Sequence, residues 1–93
     1  SGYPDCREVF FRAFEQVIAT GSATGSTISI HTPLLHRTKA DIVTMGIGLS
    51  APLHLTWSCY QNNTYACGTC DSCMLRLKGF AAAGMTDSIV YQP

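Results

Sequence analysis

Cys59, Cys67, Cys70 and Cys73 fall within fifteen residues in the pattern C-x7-C-x2-C-x2-C. Two overlapping C-x2-C steps, with one more cysteine a short loop upstream, can close four thiolates around a tetrahedral ion, each sulfur about 2.3 Å away. Thiolates suit zinc, and a bound dication keeps them deprotonated at neutral pH, so the site holds the metal and the metal holds the fold. Four thiolates fill the coordination sphere and leave no position for water or substrate, which makes the expected role structural. Two other states compete. Disulfides suit a small secreted domain, but the chain has an odd total of five cysteines and no evident secretory leader. An iron–sulfur cluster uses a similar C-x2-C-x2-C run, but here the fourth cysteine lies upstream and no proline follows Cys73.

Other segments carry weaker signals. Ser1-Gly2-Tyr3-Pro4-Asp5-Cys6 shares a Ser-Gly-x-x-Asp frame with nucleotide-binding S-G-G-x-D-S loops. Tyr3 replaces the second glycine, Cys6 replaces the last serine, and Pro4 removes an amide that could meet a phosphate, so the segment is not read as a phosphate loop. Its Asp5 reads as a helix cap. The stretch 20–27 lacks the lysine of a Walker loop, with Ser26 in that place, and reads as a solvated connector. Lys39 sits near a helix N-terminus, where the dipole favours anions; a bound phosphate would explain it, and a solvated lysine is the plainer alternative. Arg76 is a second candidate for phosphate, with a helical surface arginine the plainer reading, and His31, His36 and His54 are not needed as ligands.

The elements that must position these residues follow from periodicity. Phe10, Ala13, Phe14, Val17 and Ile18 recur at helical spacing, which predicts a helix over 6–19 with Asp5 and Glu8 as a capping box and Gly21 as its stop. Residues 27–31 alternate and are β-branched, which predicts a short strand. A second helix starts near Thr38 with Asp41 in the capping-box position and Gly46 as a left-handed cap, against which Ile47 packs back. Leu53, Leu55 and Trp57 alternate and should lay an apolar edge, Trp57 included, over the core. A third helix is expected over 70–83, with Cys70 and Cys73 one turn apart, Gly79 marking close packing and Gly84 ending it. The segment 85–93 carries no clear pattern.

Length and composition bound the rest. Ninety-three residues make one domain at most, with a core small enough for a metal staple to matter. Six basic residues balance six acidic ones, which argues against a polyanion-binding surface, so nucleic acid is not an expected partner. Charged residues are only 13% of the chain, which points to surface covered by a partner or by further protein, including a second copy in a homo-oligomer. No apolar run reaches the roughly 18 residues of a membrane span, and no targeting segment is visible, so the expected location is cytoplasmic and free of membrane.

Three segments together carry a family resemblance: Ser1 to Arg7; Thr32-Pro33-Leu34 through Thr38-Lys39-Ala40-Asp41-Ile42-Val43; and Leu55-Thr56-Trp57-Ser58-Cys59-Tyr60 through Cys67-Gly68-Thr69-Cys70-Asp71-Ser72-Cys73 to Lys78-Gly79-Phe80. In order and spacing they resemble the C-terminal part of the 7-cyano-7-deazaguanine synthases, queuosine-pathway ligases of the ATP-pyrophosphatase type. The resemblance implies an α/β fold: the C-terminal portion of a Rossmann-like adenine-nucleotide-hydrolase fold, mostly helical with one or two short strands. It implies a structural Zn2+ held by Cys59, Cys67, Cys70 and Cys73. It implies 7-carboxy-7-deazaguanine, ammonia and ATP as substrates, with Mg2+. On that basis Tyr3, Asp5 and Arg7 are expected to face the deazaguanine, and Thr32 and Lys39 the nucleotide phosphates; no catalytic residue is assigned. The family's own S-G-G-x-D-S loop has no match here. The chain is therefore expected to be a single zinc-stabilised region, 1–93, that lacks the N-terminal half and is inactive alone. A stand-alone zinc-stabilised binding or oligomerisation module is the alternative.

Overall fold

The computed structural model describes residues 2–23 and 27–93. The chain groups into two compact units, Ser1–His36 and Arg37–Pro93. The connector expected over 20–27 lies partly outside the described residues.

The first unit holds a 3-10 turn, Pro4–Cys6, and helix α1, Glu8–Gly21. Pro4 fixes its own φ at the start of the turn, and the Cys6 N–H closes it on the Tyr3 carbonyl at 3.1 Å. The backbone is extended again at Arg7 (φ −101°, ψ 152°), so α1 begins later than the periodicity suggested. The expected Asp5 cap is corrected: Asp5 lies inside the turn, and Arg7 occupies the N-cap without a side-chain hydrogen bond. The apolar stripe on α1 exists but is largely uncovered, with only Ile18 half-buried. No residue of α1 is buried, and Phe10, Phe14 and Val17 are exposed. The strand expected over 27–31 is also corrected, because no named strand occurs among the described residues. A strand needs a neighbour for its backbone N–H and C=O groups, and alternation alone does not supply one.

The second unit is built on helices α2, Lys39–Gly48, and α3, Asp71–Ala82. Thr38 caps α2 as expected: its Oγ1 accepts from the Asp41 N–H, and the Asp41 carboxylate accepts from the Thr38 N–H, both at 3.1 Å. That bond pair holds the Asp41 carboxyl below its usual value. Gly46 does not end α2. The helix runs on to Gly48, and the left-handed residue is Ser50, φ 56°. A Cβ on Gly46 would lie 3.3 Å from Leu53 Cδ2, so Gly46 makes room for Leu53. Ile47, expected to pack back, is exposed.

Leu53–Leu55 form a 3-10 turn. Three residues per turn do not keep positions i and i+2 on one face, so the expected apolar edge breaks up: Leu53 is half-buried, whereas Leu55 and Trp57 are exposed. Trp57 is anchored by its indole N–H, which donates to the Cys59 carbonyl at 3.0 Å.

Gly79 is where α2 and α3 meet. A Cβ there would stand 2.7 Å from Lys39 Cβ, closer than two carbons can sit, so the glycine permits the approach. Gly84, at φ 72°, ends α3, and the Met85 N–H closes back on the Phe80 carbonyl at 2.9 Å. Beyond it, the chain returns to the cysteine loop. Ala66 and Tyr91 form a parallel bridge, with Ala66 N–H on Val90 O and Gln92 N–H on Ala66 O, both 2.9 Å. The buried cluster is Cys59, Ala66, Cys67 and Cys73, with Ile89 and Tyr91 packed against it. No helix among the described residues is long and apolar enough to cross a membrane.

Candidate metal centre

The four cysteines converge. Their sulfurs all lie within 4.8 Å of one another, and Cys67 Sγ is 4.0 Å from Cys73 Sγ. Four sulfurs at about 2.3 Å from a tetrahedral centre would be spaced by about 3.8 Å, so the donor set fits a single ion. A multi-iron cluster places several atoms between its thiolates and needs them wider apart. None of the five cysteines is disulfide-bonded, and Cys6 stands exposed in the other unit.

Local structure aims each sulfur. Cys70 is the N-cap of α3 and Cys73 lies in its first turn, so the helix geometry sets their separation. Gly68 takes φ 76° between Cys67 and Cys70, a left-handed conformation that glycine adopts without penalty and that reverses the chain inside the C-x2-C step. Ala66, fully buried and clamped by the tail, fixes the backbone entering Cys67.

The surroundings favour negative sulfur. Cys59 Sγ accepts from the N–H groups of Gln61, Asn62 and Cys67, each at 3.4 Å. Cys67 Sγ accepts from Thr69 at 3.4 Å and Cys70 at 3.2 Å, and Cys70 Sγ accepts from Cys73 at 3.4 Å. The amides of Thr69 and Cys70 pull the Cys67 thiol down to about 6. The Cys67 amide draws Cys59 down as well, against the opposing effect of burial. Burial pushes Cys73, which is wholly covered, up to about 12. Four thiolates and one dication would leave two negative charges, and these N–H donors together with the α3 N-terminus are what offset them.

A second group of buried polar residues braces the centre, and the sequence reading missed it. Arg76 is not a surface arginine. It is 8% exposed and makes a two-pronged ion pair with Asp87, Nε to Oδ2 at 2.6 Å and Nη2 to Oδ1 at 3.0 Å. It also donates to the Leu53 carbonyl at 3.2 Å and to Ser58 Oγ, next to Cys59, at 3.3 Å. Tyr91 Oη donates to Asp87 Oδ2 at 2.6 Å and Ile89 N–H to Oδ1 at 3.3 Å. Burial opposes the Asp87 charge, but Arg76, Tyr91 and the Ile89 amide outweigh it and hold the carboxyl below its usual value. Burial and the Asp87 carboxylate raise the Tyr91 phenol. The available signal was the period-two alternation of Asp87, Ile89 and Tyr91, the half-buried positions of an otherwise exposed tail.

The remaining candidates are placed more simply. Asp5 lies in the 3-10 turn, with Tyr3 and Arg7 on either side, and all three are exposed. Thr32 is half-buried in the same unit and its carbonyl accepts from Leu35 N–H at 3.3 Å. Lys39 belongs to the other unit, as the first residue of α2. Its stem packs on Gly79, and it edges a hollow of about 190 Å³ that also touches Ser58, Arg76 and Phe80.

Against known proteins, the family model for queuosine biosynthesis protein QueC matches residues 1–84. A 7-cyano-7-deazaguanine synthase from Chlorobium phaeobacteroides is 53% identical over 92 residues, which cover 99% of this chain and 41% of that protein. Its counterpart from Nitratiruptor sp. is 53% identical, over 42% of its length. That from Methanosphaerula palustris is 50% identical, also over 42%. The chain thus spans about two fifths of the relatives it matches.

Proposed function

The chain belongs to the queuosine biosynthesis protein QueC family, and we propose that it serves as the zinc-bearing C-terminal region of a 7-cyano-7-deazaguanine synthase. The observation that carries this reading is the convergence of Cys59, Cys67, Cys70 and Cys73 inside a segment that matches the family. The ion is Zn2+, and its role is structural: it pins α3 to the loop before it.

In the complete enzyme the reaction is ATP-dependent carbon–nitrogen ligation. The carboxylate of 7-carboxy-7-deazaguanine attacks the α-phosphorus of ATP and pyrophosphate leaves. Ammonia displaces AMP to give the amide. A second adenylation, on the amide oxygen, lets that oxygen depart with AMP as the nitrile forms. Each step gains from holding reactants in line and from neutralising phosphate charge. We assign Tyr3, Asp5 and Arg7 to the deazaguanine, where a carboxylate can accept two hydrogen bonds from a guanine-like edge and an arginine can grip a carboxylate. Thr32 and Lys39 are assigned to the phosphates, alongside Mg2+. The capping box and Gly79 fix where the Lys39 stem starts, which supports its use as a positioned cation.

The uncovered stripe of Phe10, Phe14 and Val17 supports a further part of this reading. The N-terminal half of the enzyme covers that face and supplies the Rossmann-like sheet and nucleotide loop. A homo-oligomer in the cytoplasm completes the proposal. The test is ATP-dependent nitrile formation by a complete enzyme carrying this segment, compared with the segment alone. Asp5→Asn should raise the KM for the deazaguanine more than the KM for ATP. Turnover by the isolated 93 residues, or unchanged kinetics in Asp5→Asn, would contradict it.

A further inference from the structure

We propose that the tail from Asp87 to Gln92 is a strap that sets how slowly the four-cysteine site gives up its metal. This rests on the zinc reading above, but concerns residues beyond the stretch, 1–84, that the family model matches.

The tail joins pieces of the site that would otherwise separate. Cys67 is carried by the loop, and Cys70 and Cys73 by the start of α3. The Ala66–Tyr91 bridge fastens the tail to the residue just before Cys67. The Asp87 carboxylate fastens the same tail to Arg76, one helical turn beyond Cys73. Arg76 also reaches Ser58, the residue before Cys59. Tyr91 closes the circuit, because its hydroxyl donates to Asp87 while a Cβ on Gly68 would lie 3.5 Å from its Cδ1. Every ligand-bearing segment therefore hangs on one linked group, Arg76–Asp87–Tyr91, in which the Tyr91 hydroxyl holds the Asp87 carboxylate to the tail, and on one short stretch of backbone pairing. An ion leaves such a site when loop and helix part, and parting them requires this strap to lift. Groups bonded directly to a metal's ligands change its binding by about 10–100-fold when they are removed; the strap acts one step further out, through Arg76 and the Ala66 pairing, and the lower end of that range is the effect expected of it.

The test uses the whole 93-residue chain loaded with zinc, challenged with excess chelator, with release followed by a chromogenic dye. Asp87→Asn and Tyr91→Phe should each release zinc about 10-fold faster. Ser88→Ala, on the exposed side of the strap, should release at the wild-type rate. Tyr91→Phe keeps the ring and its packing, so it reports on the strap even if Asp87→Asn unfolds the chain. With cobalt in place of zinc, both variants should keep the wild-type thiolate absorption, showing that the ligand set is intact and only its exchange has changed. Release by Tyr91→Phe within about twofold of wild type would overturn the strap alone, against the larger change expected of it. A wild-type chain that takes up no metal would overturn the zinc reading and the strap together.

Discussion

Gly79→Ala tests the packing that places Lys39 and steadies α3. In a helix interior, alanine is favoured over glycine by about 1 kcal/mol, so propensity alone predicts a gain. The structure predicts the opposite sign. The new Cβ would meet Lys39 Cβ at 2.7 Å and the Lys39 carbonyl carbon at 3.4 Å. Carbon pairs settle at about 3.5–4.0 Å, so α2 and α3 would have to part by roughly 1 Å. Neither atom is the free end of a side chain, so no rotamer change removes the clash. Overpacking of this kind costs about 1–3 kcal/mol. After subtracting the helical gain, the net loss is about 1 kcal/mol, and the melting temperature should fall by about 4–8 °C in a domain of this size. The internal control is Gly48→Ala, at the end of α2, where a Cβ meets nothing within 4 Å. It should raise the melting temperature. Circular dichroism melts of both zinc-loaded variants decide the matter: equal stabilisation by the two substitutions would refute the close approach of α2 and α3.

Two further perturbations probe other levels of the structure. Thr38→Ala removes one half of the capping box and should cost about 1 kcal/mol, read as a lower urea midpoint with an unchanged slope. Metal uptake should also depend on pH in a defined direction. With Cys73 pushed up to about 12, that sulfur carries a proton throughout pH 6–8 and must lose it when an ion binds, whereas Cys67, near 6, has lost about half of its own at the bottom of that window and nearly all at the top. Apparent zinc affinity should then rise with pH by at least about tenfold per unit, one displaced proton being the minimum. A competition titration that gives a flat profile over that window would refute it.

What could be read from the sequence is what local chemistry encodes. Cysteines at C-x2-C spacing and a capping box spanning four residues both come together within a turn or two, so the clustering of Cys67, Cys70 and Cys73 and the pairing of Thr38 with Asp41 were legible. Gly79 was legible as a packing position because glycine inside a helix is costly without a reason. Most of the misses depend on partners far along the chain, and one on a neighbouring proline. Arg76 resembles any helical arginine until Asp87 is brought back to it across the Gly84 turn, eleven residues later. Residues 27–31 have the composition of a strand, but composition does not provide the neighbour that makes one. Asp5 looked like a cap because the count to Glu8 was right, and Pro4 then made a turn of its own. The substrate assignments of Tyr3, Asp5 and Arg7 came from the resemblance, and only Lys39 had a local signal, its place near a helix N-terminus.

The most direct test of the central claim is to count metal and reactive thiols on the same sample. Cys6 is exposed and the other four cysteines are gathered at the metal centre. Purified under reducing conditions, the chain should carry one zinc, with a single thiol reacting promptly in the native state. All five should react once the metal is chelated and the chain unfolded. A chain without metal, or one whose four clustered thiols react natively as freely as Cys6, would contradict the account.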